Sequence, residues 1–176
     1  MLERIIIAGS GGQGIMLLGK VLSLAAMKEN KFVTWLPCYG AEVRGGTAYC
    51  MVTISSREVG SPYIGQADAL IIMNAPSLAK FKQRLKPGGL LVLNSSLARE
   101  KRAARVKLLS FPFTDIAAGL GNVKVANISA LGCYLRQKKT VALKSVLAVI
   151  QEIAPSGRGG LVEINKKALL GWGRLT

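Results

Sequence analysis

The sequence predicts an α/β fold: a three-layer, nucleotide-binding-like module with a mostly parallel, mixed sheet. Three observations carry this. Short β-branched or leucine-rich runs alternate with segments of helical period. The glycine cluster Gly9–Gly14 lies directly between the first such run and the first helical segment. The 176 residues, 50% of them apolar, suffice for one core, so residues 1–176 are expected to form one domain.

Arg4–Ala8 ("RIIIA") is a strand that stops at the glycines, and apolar residues then recur at Ile15, Leu18, Val21, Leu22 and Ala25 as on one helix face. Phe32–Leu36 is a second strand, ended by Pro37, and Thr47–Ser55 a third that alternates in character. The connection between these two holds no helical pattern. The pair is therefore expected to be antiparallel, which makes the sheet mixed. Asp68–Asn74 reads as a buried strand; Pro76 at N1 opens a helix through "PSLAKFKQRL", and "KPGG" closes it as a glycine C-cap. Leu90–Asn94 and Arg105–Phe113 are further strands, the latter ended by Pro112, with a helix from near Thr114. Val123–Arg136 and Leu143–Pro155 read as longer helices, the first β-branched at its start, and the tail from Lys166 adds a short one.

Composition narrows function. With 24 Lys+Arg against 9 Asp+Glu the formal charge is +15, which favours acidic partners: nucleic acid, phosphorylated ligands or an acidic protein surface. Only 6% of residues are aromatic, so a single-strand stacking platform is poorly represented and nucleic acid is disfavoured. Cys38, Cys50 and Cys133 fit neither a zinc nor an iron–sulfur spacing. The odd cysteine count, and a start that enters a strand without a charged-then-apolar leader, point to the cytoplasm. No apolar run approaches the roughly 20 residues of a membrane span. The densest basic run, Arg99–Lys107, is read as a solvated connection or as an anion-attracting edge.

"GSGGQG" satisfies G-x-G-x-x-G through Gly9, Gly11 and Gly14, with Gly12 and Gln13 between them. In a nucleotide fold such a loop lets a pyrophosphate approach the backbone at a helix N-terminus. A dinucleotide site also needs an acid at the end of the second strand to hold the ribose, and here that strand ends "TWLPCY". Another anion and a tight structural turn both stay open for this loop.

A second loop, "PCYGAEVRGGT", follows the second strand, at the edge where the first loop is expected. Glu42 and Arg44, two apart in an extended segment, share one side, and Gly45 and Gly46 permit close approach of another backbone. They pair with each other as a surface ion pair, or Arg44 grips a carboxylate or phosphate. With no histidine in the chain, a histidine-based triad or metal site is excluded, and the acids show no paired spacing; no catalytic residue and no metal ligand is assigned.

Taken in order, "GSGGQGI", "PCYGAEVRGGTAYCMVTIS", "ADALIIMN", "LKPGGLLVLNSS" and "VANISALG" resemble the gamma subunit of 2-oxoacid:ferredoxin oxidoreductases over roughly residues 3–150. The same module is fused into longer pyruvate oxidoreductase chains and occurs in the indolepyruvate enzyme. "YGAEVRGGTA" is more like the 2-oxoglutarate branch; Cys38 stands where serine is common, and the charge is high for the family. The resemblance implies a component, inactive alone, of an enzyme that decarboxylates a 2-oxoacid such as 2-oxoglutarate or pyruvate, forms acyl-CoA and passes electrons to ferredoxin. It implies catalytic alpha and beta subunits and a ferredoxin-type subunit as partners, with thiamine diphosphate and iron–sulfur clusters held by those subunits and CoA used by the complex. It also implies two interface or cofactor-side loops, Gly9, Gly11, Gly12, Gln13 and Gly14 in one and Tyr39, Gly40, Glu42, Arg44, Gly45 and Gly46 in the other. The rival expectation is a free-standing phosphate-, nucleotide- or nucleic-acid-binding protein; self-association of the isolated chain is compatible with either.

Overall fold

The computed structural model describes residues 1–38, 47–100, 105–155 and 159–171. The second loop, with Tyr39, Gly40, Glu42, Arg44, Gly45 and Gly46, and residues 101–104 of the basic run lie outside the described residues.

Strand β1 (Leu2–Ser10) leads through the glycine loop into α1 (Ile15–Lys28); β2 (Phe32–Cys38), β3 (Thr47–Ser55) and β4 (Ala67–Ile72) follow. Then come α2 (Ala75–Phe81), a 3-10 turn over Lys82–Arg84, β5 (Leu85–Asn94), β6 (Lys107–Phe111) and α3 (Phe113–Gly119). A second 3-10 turn, Val123–Val125, opens α4 (Ala126–Lys138), and α5 (Leu143–Ile153) and α6 (Gly159–Gly171) complete the described elements. The sheet order is β2-β3-β1-β4-β5-β6. β1, β4, β5 and β6 are parallel, whereas β3 runs antiparallel to both β1 and β2, so the sheet is mixed as expected.

One face carries the larger core, built on Ile5 and Ile7 of β1 and covered by α1, α3, α4, α5 and α6. The other, built on Ile6 and Ala8, is covered by α2 through Leu78 and Phe81. Alternation along β1 thus feeds two cores from one buried run, which is the three-layer arrangement. α1 lies close to the sheet because position 19 is glycine: a Cβ there would sit 2.5 Å from Cys50 Sγ and 3.0 Å from Trp35 Nε1.

Several boundaries differ from expectation. Pro37 lies inside β2, not at its end; β2 is an edge strand, where a missing N–H is tolerated. "KPGG" is not a helix cap: it belongs to β5, beside a register irregularity between Ala67 and Ala69, with Gly88 at φ 77°. α2 ends at Phe81, and Pro76 is its second residue; Asn74 caps it by accepting from Ser77 N. The last helix begins at Gly159 rather than near Lys166, anchored by the buried Ala168 and Leu169. The β-branched start at Val123 forms a 3-10 turn before α4, in keeping with its poorer helix propensity.

Candidate functional site at the carboxyl edge of the sheet

α1 and α2 leave the sheet on opposite faces, and the crossover after β1 leads to β2 while that after β4 leads to β5. The carboxyl ends of β1 and β4 therefore flank a topological switch point, where open α/β sheets form their crevices. Gly9 to Gly14 lie there.

The loop is built by close approach. Gly9 ends the buried part of β1, and a Cβ on it would meet Gln13 Oε1 at 2.5 Å, Ile15 Cδ1 at 2.7 Å and Met73 Cβ at 3.0 Å. Gln13 Oε1 accepts from Ser10 N at 2.7 Å and its Nε2 donates to Met73 O at 3.3 Å. Asn74 Nδ2 donates to Ser10 Oγ at 2.5 Å. The crevice between β1 and β4 is thus bridged by two side-chain amides. Gly12 and Gly14 have φ 85° and 70°, conformations glycine adopts without strain. Gly14 is the N-cap of α1, and Asn127 Nδ2, from the buried first turn of α4, donates to Gly14 O at 2.9 Å.

Asn94 extends the bridge. Its Nδ2 donates to Met73 O and to Thr114 Oγ1, and its Oδ1 accepts from Thr114 N. Asn74, Asn94 and Asn127 escaped the sequence reading as site residues. The signal was present: the apolar runs "LIIM" and "LLVL" are each followed directly by an asparagine.

Added Cβ atoms at Gly11 and Gly12 would meet nothing within 4 Å, so the loop backbone is open there. α1 starts with no side-chain cap, leaving its first-turn N–H groups without an intrahelical acceptor. An anionic group has room to meet these donors over Gly11 and Gly12. A pyrophosphate running across the switch point would displace the Gln13 and Asn74 bridges, which weighs against a dinucleotide.

The second loop's anchors are described even though the loop is not. Thr47 pairs with Ser10 at the last rung of the β1–β3 ladder, and Cys38 pairs with Tyr49. Both ends of the 39–46 segment therefore leave the sheet at the edge that holds the first loop. Beside them the Tyr49 hydroxyl is pushed above its ordinary value by hydrogen bonding with Cys38 and by burial.

The thiols do not suit a cluster. Burial pushes the Cys50 and Cys133 thiols up to about 12, as for inert core thiols rather than activated ones. Among the described residues no three His, Cys, Asp or Glu side chains gather as a metal site, and no helix is long and apolar enough to cross a membrane.

A family model described as pyruvate ferredoxin/flavodoxin oxidoreductase matches residues 4–170. The ketoisovalerate oxidoreductase subunit VorA of Methanothermobacter marburgensis is 33% identical over 166 residues, covering 94% of this chain and 35% of its own. The 2-oxoglutarate synthase subunit KorC of Methanocaldococcus jannaschii is 32% identical over 161 residues, 89% of this chain and 86% of that one. The chain thus spans about a third of the ketoisovalerate relative and most of the 2-oxoglutarate one. Among solved structures, a keto/oxoacid ferredoxin oxidoreductase gamma subunit from Geobacter sulfurreducens PCA superposes with a TM-score of 0.82 at 30% identity, covering 95% of this chain and 94% of the other.

Proposed function

The chain belongs to the pyruvate ferredoxin/flavodoxin oxidoreductase family as a gamma-type module, and we propose that it serves as the gamma subunit of a multisubunit 2-oxoacid:ferredoxin oxidoreductase. The observation that carries this is the near end-to-end match, in sequence and fold together, to a solved gamma subunit. On this reading the chain is one gamma-type domain over 1–176 and works in the cytoplasm with catalytic alpha and beta subunits and a ferredoxin-type subunit. The assembly oxidatively decarboxylates a 2-oxoacid to its acyl-CoA and reduces ferredoxin.

Thiamine diphosphate and the iron–sulfur clusters are assigned to the other subunits. The separated cysteines of this chain, two of them buried, do not fit a cluster. This chain supplies a surface: the Gly9–Gly14 loop, braced by Gln13, Asn74 and Asn127, and the 39–46 loop that leaves the same edge. Arg44 attracts an anionic group of CoA or of the 2-oxoacid at the junction with the catalytic subunits. The free-standing nucleotide-binding reading has less support, because Gln13 and Asn74 bridge the crevice that such a ligand would enter.

Co-expression with catalytic alpha and beta chains from the same organism tests the reading. A stable complex that oxidises a 2-oxoacid with CoA and ferredoxin is expected, and a chain that purifies alone beside a fully active alpha–beta assembly would refute it. Within an active complex, Arg44→Ala should raise KM for CoA or the 2-oxoacid about tenfold, the loss of one charged hydrogen-bonding partner. Unchanged kinetics together with unchanged assembly would remove Arg44 from this role.

A further inference from the structure

At the opposite edge of the sheet, where β1 begins and β3 ends, the surface folds into a cavity of about 590 Å³. That volume lies within the range of small-molecule sites. Its walls include Arg4, Arg57, Glu58 and Tyr63, with the Val59–Ser61 backbone between them.

The charge in this cavity is unbalanced. Elsewhere five acids are held by lysines: Glu152 by Lys28, Glu29 by Lys31, Glu100 by Lys82, Asp68 by Lys86 and Glu3 by Lys138. Neither the Arg4 nor the Arg57 guanidinium has an ion-pair partner among the described residues, although Glu58 lines the same cavity. Asp68 is already engaged: Oδ2 accepts from Arg4 N and Oδ1 from Lys86 Nζ.

The walls are held in place. Arg57 N donates to Ser55 Oγ at 3.0 Å, fixing the backbone that presents its guanidinium. Arg84 donates to Ile64 O and Gly65 O, and its guanidinium stacks 5.2 Å from the Tyr63 ring centre. Tyr63, 63% exposed, therefore stands as a supported aromatic wall, anchored by the buried Ile64 beside it. Two forked guanidiniums recognise phosphate or carboxylate groups in planar, two-pronged contacts, and the +15 charge concentrates such anions at the surface.

We propose that this cavity binds a small molecule bearing two phosphate or carboxylate groups, held by Arg4 and Arg57 and laid against Tyr63. The inference does not rest on the gamma-subunit reading and is tested on the full chain alone.

Calorimetric titration at physiological salt uses two probes, inorganic pyrophosphate and the dicarboxylate glutarate. Saturable one-to-one binding of at least one is expected; tighter pyrophosphate assigns phosphate groups, and tighter glutarate assigns carboxylates. The double variant Arg4→Gln/Arg57→Gln should weaken binding about tenfold or more, given what charged hydrogen bonds contribute. Arg57→Gln alone, on an exposed loop, should give a smaller loss and keeps the test decisive if the double variant does not fold. Lys20→Gln/Lys124→Gln removes the same charge from other parts of the surface and should leave affinity nearly unchanged. An equal loss in that control would show attraction by net charge alone and overturn the proposal, as would the absence of saturable binding of both probes.

Discussion

Gln13 uses both ends of its amide on backbone groups of two strands, accepting from Ser10 N and donating to Met73 O. A glutamate of the same length keeps the acceptor but turns an oxygen toward the Met73 carbonyl, and alanine removes both bonds. Ser10 N left without its acceptor costs about 1–3 kcal/mol, whereas Met73 O keeps the bond from Asn94 Nδ2. Gln13→Glu is therefore expected to destabilise the chain at least as much as Gln13→Ala in urea denaturation; a glutamate variant as stable as the parent would mean the Met73 bond contributes nothing. The G-x-G-x-x-G spacing was legible in the sequence, and so was the strand–turn–helix context that places it at a crevice. The role of Gln13 was not, because its partner Met73 lies 60 positions away along the chain and becomes a neighbour only once β4 pairs with β1. The same holds for Asn127, which reaches Gly14 across 113 positions. Gly9 is needed for reasons beyond the turn that the motif suggests: Gln13, Ile15 and Met73 all crowd the space where a Cβ would stand.

Between elements, Glu29 just beyond α1 ties that helix to the start of α5. Its Oε1 accepts from Ala142 N and Ser145 Oγ, both at 2.7 Å, and its Oε2 meets Lys31 Nζ at 2.7 Å. Burial pushes the Glu29 carboxyl up, but hydrogen bonding by Lys31, Ser145 and Ala142 N outweighs it, and the net shift is downward from 4.5. A carboxyl lowered in the folded state contributes stability that is present above the unfolded value and lost as pH falls through the folded one. Glu29→Gln should therefore cost about 1–2 kcal/mol at neutral pH. That difference should shrink below about pH 4, as the wild-type carboxyl itself becomes protonated. A difference that stays constant down to pH 3 in thermal denaturation would show that the charge plays no part. Most elements were legible because their apolar patterns were long and buried on both faces, as in β1, β4 and β5. The misread boundaries are places where tertiary position overrode local preference. Pro37 persists in a strand because that strand lies at the sheet edge, and "KPGG" is drawn into β5 by pairing beside Ala67. Residues before Lys166 become helical because α6 docks on α4.

Across the whole molecule, the excess of 24 basic over 9 acidic side chains sets the sign of long-range forces. The five lysine–acid pairs use one lysine for each acid engaged, so the basic excess remains and projects a net positive field. Two copies of this chain repel one another, whereas an acidic partner surface is drawn in and its encounter rate raised. The two kinds of association should then respond oppositely to salt. The Debye length falls from about 10 Å at 0.1 M to about 3 Å at 1 M, which screens both forces. Self-association of the isolated chain through its exposed apolar side chains, such as Phe32 and Trp35 on the edge strand β2, should increase as salt is raised. Association with the proposed catalytic subunits should slow about tenfold or more over the same range, with a much smaller change in dissociation rate. Stopped-flow binding and sedimentation across a salt series separate the cases. If the partner on-rate does not change with salt, the basic excess is not a docking field, and the interface is held by apolar contact alone.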